Sequence, residues 1–217
     1  MDNKLINHLR SFNSKERFYL IGEILGNPSF KLSATFCDKL SEQIGVTVPQ
    51  DSFAALDYHL DWLYASLILA QEEDVSTVHL NDNDIIKGHQ EDMDFIIAFE
   101  KDGVTHIVLI EAKGVTSWGN KQMNSKISRL KLIFEDNHCH NVKPHLVFLS
   151  PSKPQKLEMQ AWSAWMKKDG SDNDFKFIPL SLPCGLMFVT RHKEPDSNGK
   201  EITKWTTKAR RYVCKNS

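Results

Sequence analysis

An aspartate, a glutamate and a lysine are the residues of this chain whose types and spacing could do chemistry. In the stretch 91–113, EDMDFIIAFEKDGVTHIVLIEAK, two runs of alternating β-forming residues, Asp94 to Phe99 and Thr105 to Ala112, flank Asp102-Gly103. That dipeptide favours a tight hairpin turn with positive φ. With Asp102 and Gly103 at the turn, Asp94 stands directly opposite Glu111. Side chains alternate faces with a period of two, so Lys113 shares the face of Glu111 while Phe95, Ile97, Phe99, Val108 and Ile110 take the other. Like charges opposite one another destabilise a sheet, and a divalent cation between them would remove the penalty. Two carboxylates, with the Ala112 carbonyl as a third oxygen, are a sufficient start for Mg²⁺ or Mn²⁺, since Mg²⁺ keeps several waters and borrows ligands from a phosphate substrate. Such an ion would serve phosphodiester hydrolysis by neutralising the phosphate and lowering the pKa of the attacking water. Lys113 would then hold that water or stabilise the developing charge. The bland alternative is a surface hairpin in which Lys113 merely neutralises Glu111.

The elements that must position these residues are expected to make an α/β protein, a central mixed β-sheet flanked by helices. Residues 1–50 read as short helices near Ser14 to Leu25 and Ser33 to Ile44, separated by Gly26-Asn27-Pro28, and form a helical cap packed on the core. A core running from 51 to 217 would begin with a helix capped by Asp51 or Ser52, its stripe being Phe53, Leu56, Leu60, Leu63 and Leu67. Asp57 and Asp61 lie beside that stripe, either as a solvated face or as an extra acid near the cation; Glu91 and Asp92 stand close to Asp94. Short strands are suggested at Thr77 to Leu80 and Ile85 to Lys87.

After the hairpin, Thr116 or Ser117 can cap a helix with the apolar stripe Met123, Ile127, Leu130 and Phe134, beside a second stripe of Gln122, Lys126 and Arg129. A strand at HLVFL after Pro144, a helix from Pro154 to about Lys168, a strand from Phe175 to Leu180 and a C-terminal hairpin turning at Asp196-Ser197-Asn198-Gly199 complete the chain.

The 217 residues have ordinary apolar and charged fractions, and no apolar run approaches a membrane span. With no signal-peptide pattern at the N-terminus, a cytoplasmic protein is expected. Cys37, Cys139, Cys184 and Cys214 are scattered without a CxxC pair and read as free thiols. His138-Cys139-His140 with His145 does not match a zinc spacing, and His89 and Trp118 read as a loop residue and a packing residue. The net charge is −1 but unevenly spread: residues 185–217 hold eight Lys or Arg against three Asp or Glu. Lys204, Lys208, Arg210 and Arg211 in that tail would suit nucleic-acid backbone contacts, or form a solvated face. No glycine-rich phosphate loop, nucleophile elbow or HExxH helix is present, which removes the common nucleotide-binding, serine-hydrolase and metalloprotease readings.

Asp94 followed by Glu111-Ala112-Lys113 across a hairpin resembles the PD-(D/E)XK nuclease superfamily, the restriction-endonuclease-like fold. The resemblance covers about residues 53 to 150. Gly88 through Asp94 resembles the family's approach to its first catalytic Asp, and Gln122, nine residues beyond Lys113, looks like the glutamine of the RecB-like branch; Met93 stands in place of the proline, and Lys126 in place of the aromatic that follows that glutamine. The resemblance implies a Mg²⁺- or Mn²⁺-dependent nuclease in which Asp94, Glu111, Lys113 and Gln122 are catalytic, the ion being held by Asp94, Glu111 and Ala112. It implies nucleic acid, DNA first, as the partner, with Lys126 and Arg129 available to phosphates. The alternative is a nuclease-fold protein that binds or assembles on nucleic acid without cutting. The sequence leaves a homodimer open.

Overall fold

The computed structural model describes residues 3–81, 83–88, 91–116, 118–135 and 141–209. Three helices lead: α1 (Lys4–Phe12), α2 (Glu16–Ile24) and α3 (Ala34–Ile44). The Asn3 side chain accepts the Ile6 N–H at the start of α1, and Ser33 accepts the Phe36 N–H at the start of α3. These contacts satisfy donors that a helix leaves open. Gly45, at φ 72°, ends α3 in the left-handed conformation that a residue with a Cβ resists.

Next come β1 (Phe53–His59), α4 (Leu60–Leu69), β2 (Asp92–Lys101), β3 (Val104–Ala112), α5 (Asn120–Glu135), β4 (Val142–Ser150) and β5 (Lys176–Pro179). The five strands form one sheet in sequence order. β1, β2 and β3 are antiparallel, and β4 and β5 join parallel. The mixed character follows from the connections. A two-residue turn can join only antiparallel strands, whereas β3 to β4 crosses over through α5 and so returns parallel. The C-terminal strands β6 (Met187–Pro195) and β7 (Glu201–Ala209) pair with each other in a separate two-stranded sheet.

Helices cover both faces of the large sheet. On one, Leu5, Leu9, Leu60, Leu63, Leu67, Met123, Ile127, Leu130 and Ile133 pack against Ala55, Ile96, Ala98, Ile107 and Leu109. On the other, Cys37, Leu40 and Ile44 of α3 pack against Ala54, Ile97, Val108, Ile110 and Val147. The N-terminal helices thus supply part of both cores. Among the described residues no helix is long and apolar enough to cross a membrane.

Several secondary-structure expectations fail. Phe53–His59 is a strand, so the helix begins only at Leu60; β1 buries both faces, and an apolar run without alternation reads equally as helix or strand. Residues 77–80 and 85–87 form no strand: the Asn81 side chain takes the Ile86 N–H and carbonyl, and Asp61 takes the Lys87 and Gly88 N–H groups. The helix expected over 154–168 is a single 3₁₀ turn, Ala164–Met166. Asn120 and Lys131 of α5 donate to the Lys156 and Ala161 carbonyls, which holds the segment against α5 along its length. Cys184 is disulfide-bonded rather than a free thiol, whereas Cys37 is free and buried. Cys139 and Cys214 lie outside the described residues.

Candidate metal and phosphodiester site

Asp102 and Gly103 adopt φ 53° and 77°, the double left-handed turn that the dipeptide favours. Pairing then runs from Lys101↔Val104 to Phe95↔Ile110, so the next positions along the ladder are Asp94 and Glu111. The Asp94 Oδ2 accepts the Ala112 N–H at 2.7 Å. A side chain thereby takes up the backbone donor just beyond the last paired residues and fixes the orientation of its own carboxylate. Glu111 is only 1% exposed; its Oε1 meets Lys113 Nζ at 3.3 Å and its Oε2 meets Lys126 Nζ at 2.5 Å.

The strand beside β2 adds a third acid. Asp57 falls between the pairs Leu56↔Phe95 and Tyr58↔Met93, opposite Asp94. It takes φ 47°, an uncommon conformation for a residue with a Cβ. Alternation breaks there: Tyr58 and Met93 join the same core as Ala55 and Ile96. Asp57, Glu91, Asp92 and Asp94 line one side of an open groove of about 810 Å³, with Gly119, Lys121, Gln122, Ser125 and Lys126 of α5 and its approach on the other.

Most of these acids already have a cation. Arg17 meets Asp57 at 3.0 Å, Lys15 meets Asp92 at 3.0 Å and Arg129 meets Glu91 at 3.2 Å. Asp92 also faces His59 Nδ1 at 3.0 Å; burial holds that imidazole below its usual range against the pull of Asp92. Asp94 is the one acid of the groove with no basic partner among the described residues.

Asp94, Glu111, Ala112 and Lys113 therefore come together, with Gln122 exposed on the facing helix. Lys126 is close by but buried against Glu111. Arg129 does not face the groove as a phosphate ligand: it is 4% exposed, paired with Asp61 and Glu91, and donates to the Ile85 carbonyl at 2.9 Å. Asp61 joins it, tying α4, α5 and the 85–88 loop together. Trp118 packs edge-on against Phe148, its ring 5.8 Å from Lys113 Nζ. Lys204 pairs with Glu194 at 2.9 Å and Lys208 is exposed on β7. His89, Ser117, His138, His140, Arg210 and Arg211 lie outside the described residues.

Sequence reasoning did not find the Lys126 contact or the Asp57 backbone. The only signal for the first was the placement of Lys126 on the stripe beside the apolar one. Among the described residues no three His, Cys, Asp or Glu side chains converge on one point as a ready metal cage. The donors expected from the sequence, two carboxylates and a backbone carbonyl, are all hard oxygen, which would suit a cation that keeps most of its water. No protein-family model matches the chain, and no curated protein or solved structure is significantly similar to it.

Proposed function

We propose that the chain is a divalent-metal-dependent nuclease of the PD-(D/E)XK kind, acting on DNA in preference to RNA. The observation that carries this reading is the Asp94 carboxylate, without a basic partner among the described residues and oriented by the Ala112 N–H, in a groove where Asp57, Asp92 and Glu91 each meet a basic side chain. An acid without a counter-ion beside a second, buried acid is poised for a cation. Asp94, Glu111 and the Ala112 carbonyl would hold Mg²⁺ or Mn²⁺, which supplies charge neutralisation and an activated water. Lys113 would orient that water from the Oε1 side of Glu111, stabilising negative charge as the phosphorane forms. Gln122, exposed on α5 across the groove, would hold a phosphate oxygen or the water by its carboxamide. The order β1-β2-β3-β4-β5, with a helix between β3 and β4, agrees with a restriction-endonuclease-like core.

The test is incubation of pure protein with supercoiled, linear and single-stranded DNA in Mg²⁺, Mn²⁺ or EDTA, beside Asp94→Ala and Lys113→Ala. Cleavage should require metal and fall at least about a hundredfold in each variant. Cleavage untouched by either substitution would sink the assignment.

A second reading, a nucleic-acid-binding module that does not cut, is favoured by the C-terminal hairpin. Met187, Val189, Arg191, Trp205 and Thr207 share one exposed face, with Arg191 directly across from Trp205, which is 69% exposed. An aromatic ring beside a guanidinium suits base stacking and phosphate contact. Trp205→Ala should weaken single-stranded DNA binding, measured by fluorescence anisotropy, by about tenfold while leaving any cleavage dependent on Asp94. Unchanged binding would remove the hairpin from the interface.

A further inference from the structure

Lys126 lies on the buried side of α5 among Met123, Ile127 and Leu130, where a lysine is out of place unless something there requires its charge. Its ammonium ends 2.5 Å from Glu111 Oε2, and both side chains are closed off from water, 7% and 1% exposed. Lys113 takes the other oxygen at 3.3 Å and is more open, at 19%. Asp94, Glu111, Lys113 and Lys126 therefore sum to zero charge without any bound ion. Of the other acids facing the groove, Asp57 and Asp92 meet Arg17 and Lys15, and Glu91 shares Arg129 with Asp61.

We propose that Lys126 is the resident counter-charge of Glu111, standing on that buried carboxylate in place of a divalent cation and thereby setting how weakly the site takes one up. This rests on the metal-site reading of Asp94 and Glu111. A buried carboxylate left alone would be costly, and Lys126 removes that cost in the metal-free protein. The same ammonium repels an incoming divalent ion within a few ångströms, in a place that water screens poorly. The Glu111 carboxylate is thus compensated without metal, and the ion must compete with a tethered charge. Lys126 is accordingly a positioning residue, acting through Glu111.

The two roles a buried lysine can have part company on metal affinity. A merely structural lysine, once removed, lowers stability and leaves Mn²⁺ binding unchanged or weaker. A counter-charge, once removed, makes Mn²⁺ bind more tightly. The experiment compares Mn²⁺ binding, followed by electron paramagnetic resonance of the free ion, and thermal melting with and without Mn²⁺, in the wild type, Lys126→Met, Lys126→Arg and Glu111→Gln. Lys126→Met should bind Mn²⁺ at least about tenfold more tightly and gain more melting temperature from it. Lys126→Arg, which keeps the charge, should stay near the wild type. Should Lys126→Met fold only when Mn²⁺ is present, that rescue is the same result. Affinity in Lys126→Met equal to or below the wild type, or no fold in either condition, overturns the proposal. Glu111→Gln separates the two ideas. Loss of Mn²⁺ binding there, with no gain in Lys126→Met, defeats only the counter-charge. Mn²⁺ binding that ignores Glu111→Gln, or is absent from every form, defeats the metal site itself.

Discussion

Arg129 shows how most acids around the groove are held in the scaffold by buried or half-buried cations. Its guanidinium is buried between Asp61 at the start of α4 and Glu91 just before β2, and it also donates to the Ile85 carbonyl. Removing it would leave two sparsely hydrated carboxylates without their cation. Arg129→Met should therefore cost about 3 kcal/mol of stability, read as a lowered urea midpoint; an unchanged midpoint would mean the carboxylates find other partners. Asp94 is different in kind, since among the described residues its carboxylate meets only the Ala112 backbone N–H. Asp94→Asn preserves the shape and should leave the urea midpoint within about 1 kcal/mol while abolishing metal-dependent cleavage. At this scale the sequence was informative wherever a turn fixed the register: Asp94, Glu111 and Lys113 fall together because Asp102-Gly103 leaves the ladder little choice. It was silent on Arg129 and Lys126, because burial of a stripe next to the apolar one depends on how α5 is rotated against the sheet.

The elements repeat that division. The β2–β3 hairpin was legible, since its turn dipeptide, alternation and length all agree. Gly103, at φ 77° with open space where a Cβ would go, tests that account through conformation alone. Gly103→Ala should destabilise by about 1 kcal/mol, measured by denaturation, and lower cleavage only as far as it lowers the folded fraction. A cost near zero would show that the turn can adopt another type. β1 was illegible for a physical reason: Phe53, Ala54 and Ala55 are buried on both faces, so nothing in the strand alternates, and Leu56 fits a helical stripe with Leu60, Leu63 and Leu67 by coincidence of spacing. The segment 154–168 has helical periodicity too, yet its anchoring to side chains of α5 holds it outside a helix. Such tertiary overrides leave no mark in a local pattern.

Across the whole molecule, one two-residue turn and the α5 crossover set the centre of the sheet, β2 to β4, while the long segments 60–91 and 151–175 bring in β1 and β5; the α/β class with its separate C-terminal hairpin was readable in advance. A buried histidine pair was not. His106 Nδ1 and His145 Nε2 lie 3.0 Å apart on the neighbouring parallel strands β3 and β4, stacked with Phe99. Burial, reinforced by His106, Lys176 and Lys143, pushes the His145 imidazole down to about 3. The folded protein thus keeps His145 neutral where an unfolded chain, near the ordinary 6.5, takes up a proton. Stability from this group is complete above that ordinary value and declines as pH falls from there towards 3, by about 1.4 kcal/mol per pH unit. Urea midpoints at pH 7 and pH 5 should differ in the wild type, and the difference should shrink by about 2 kcal/mol in His145→Gln. An identical difference in both proteins would exclude His145 as its source.

The claim on which the functional account turns is that Asp94 and Glu111 share a divalent cation across the β2–β3 ladder. Anomalous diffraction from crystals grown with Mn²⁺ tests it most directly. The account predicts an anomalous peak within coordination distance of an Asp94 oxygen, a Glu111 oxygen and the Ala112 carbonyl, absent from Asp94→Asn crystals grown in the same way. A peak that persists in that variant, or Mn²⁺ bound only elsewhere on the molecule, would contradict it.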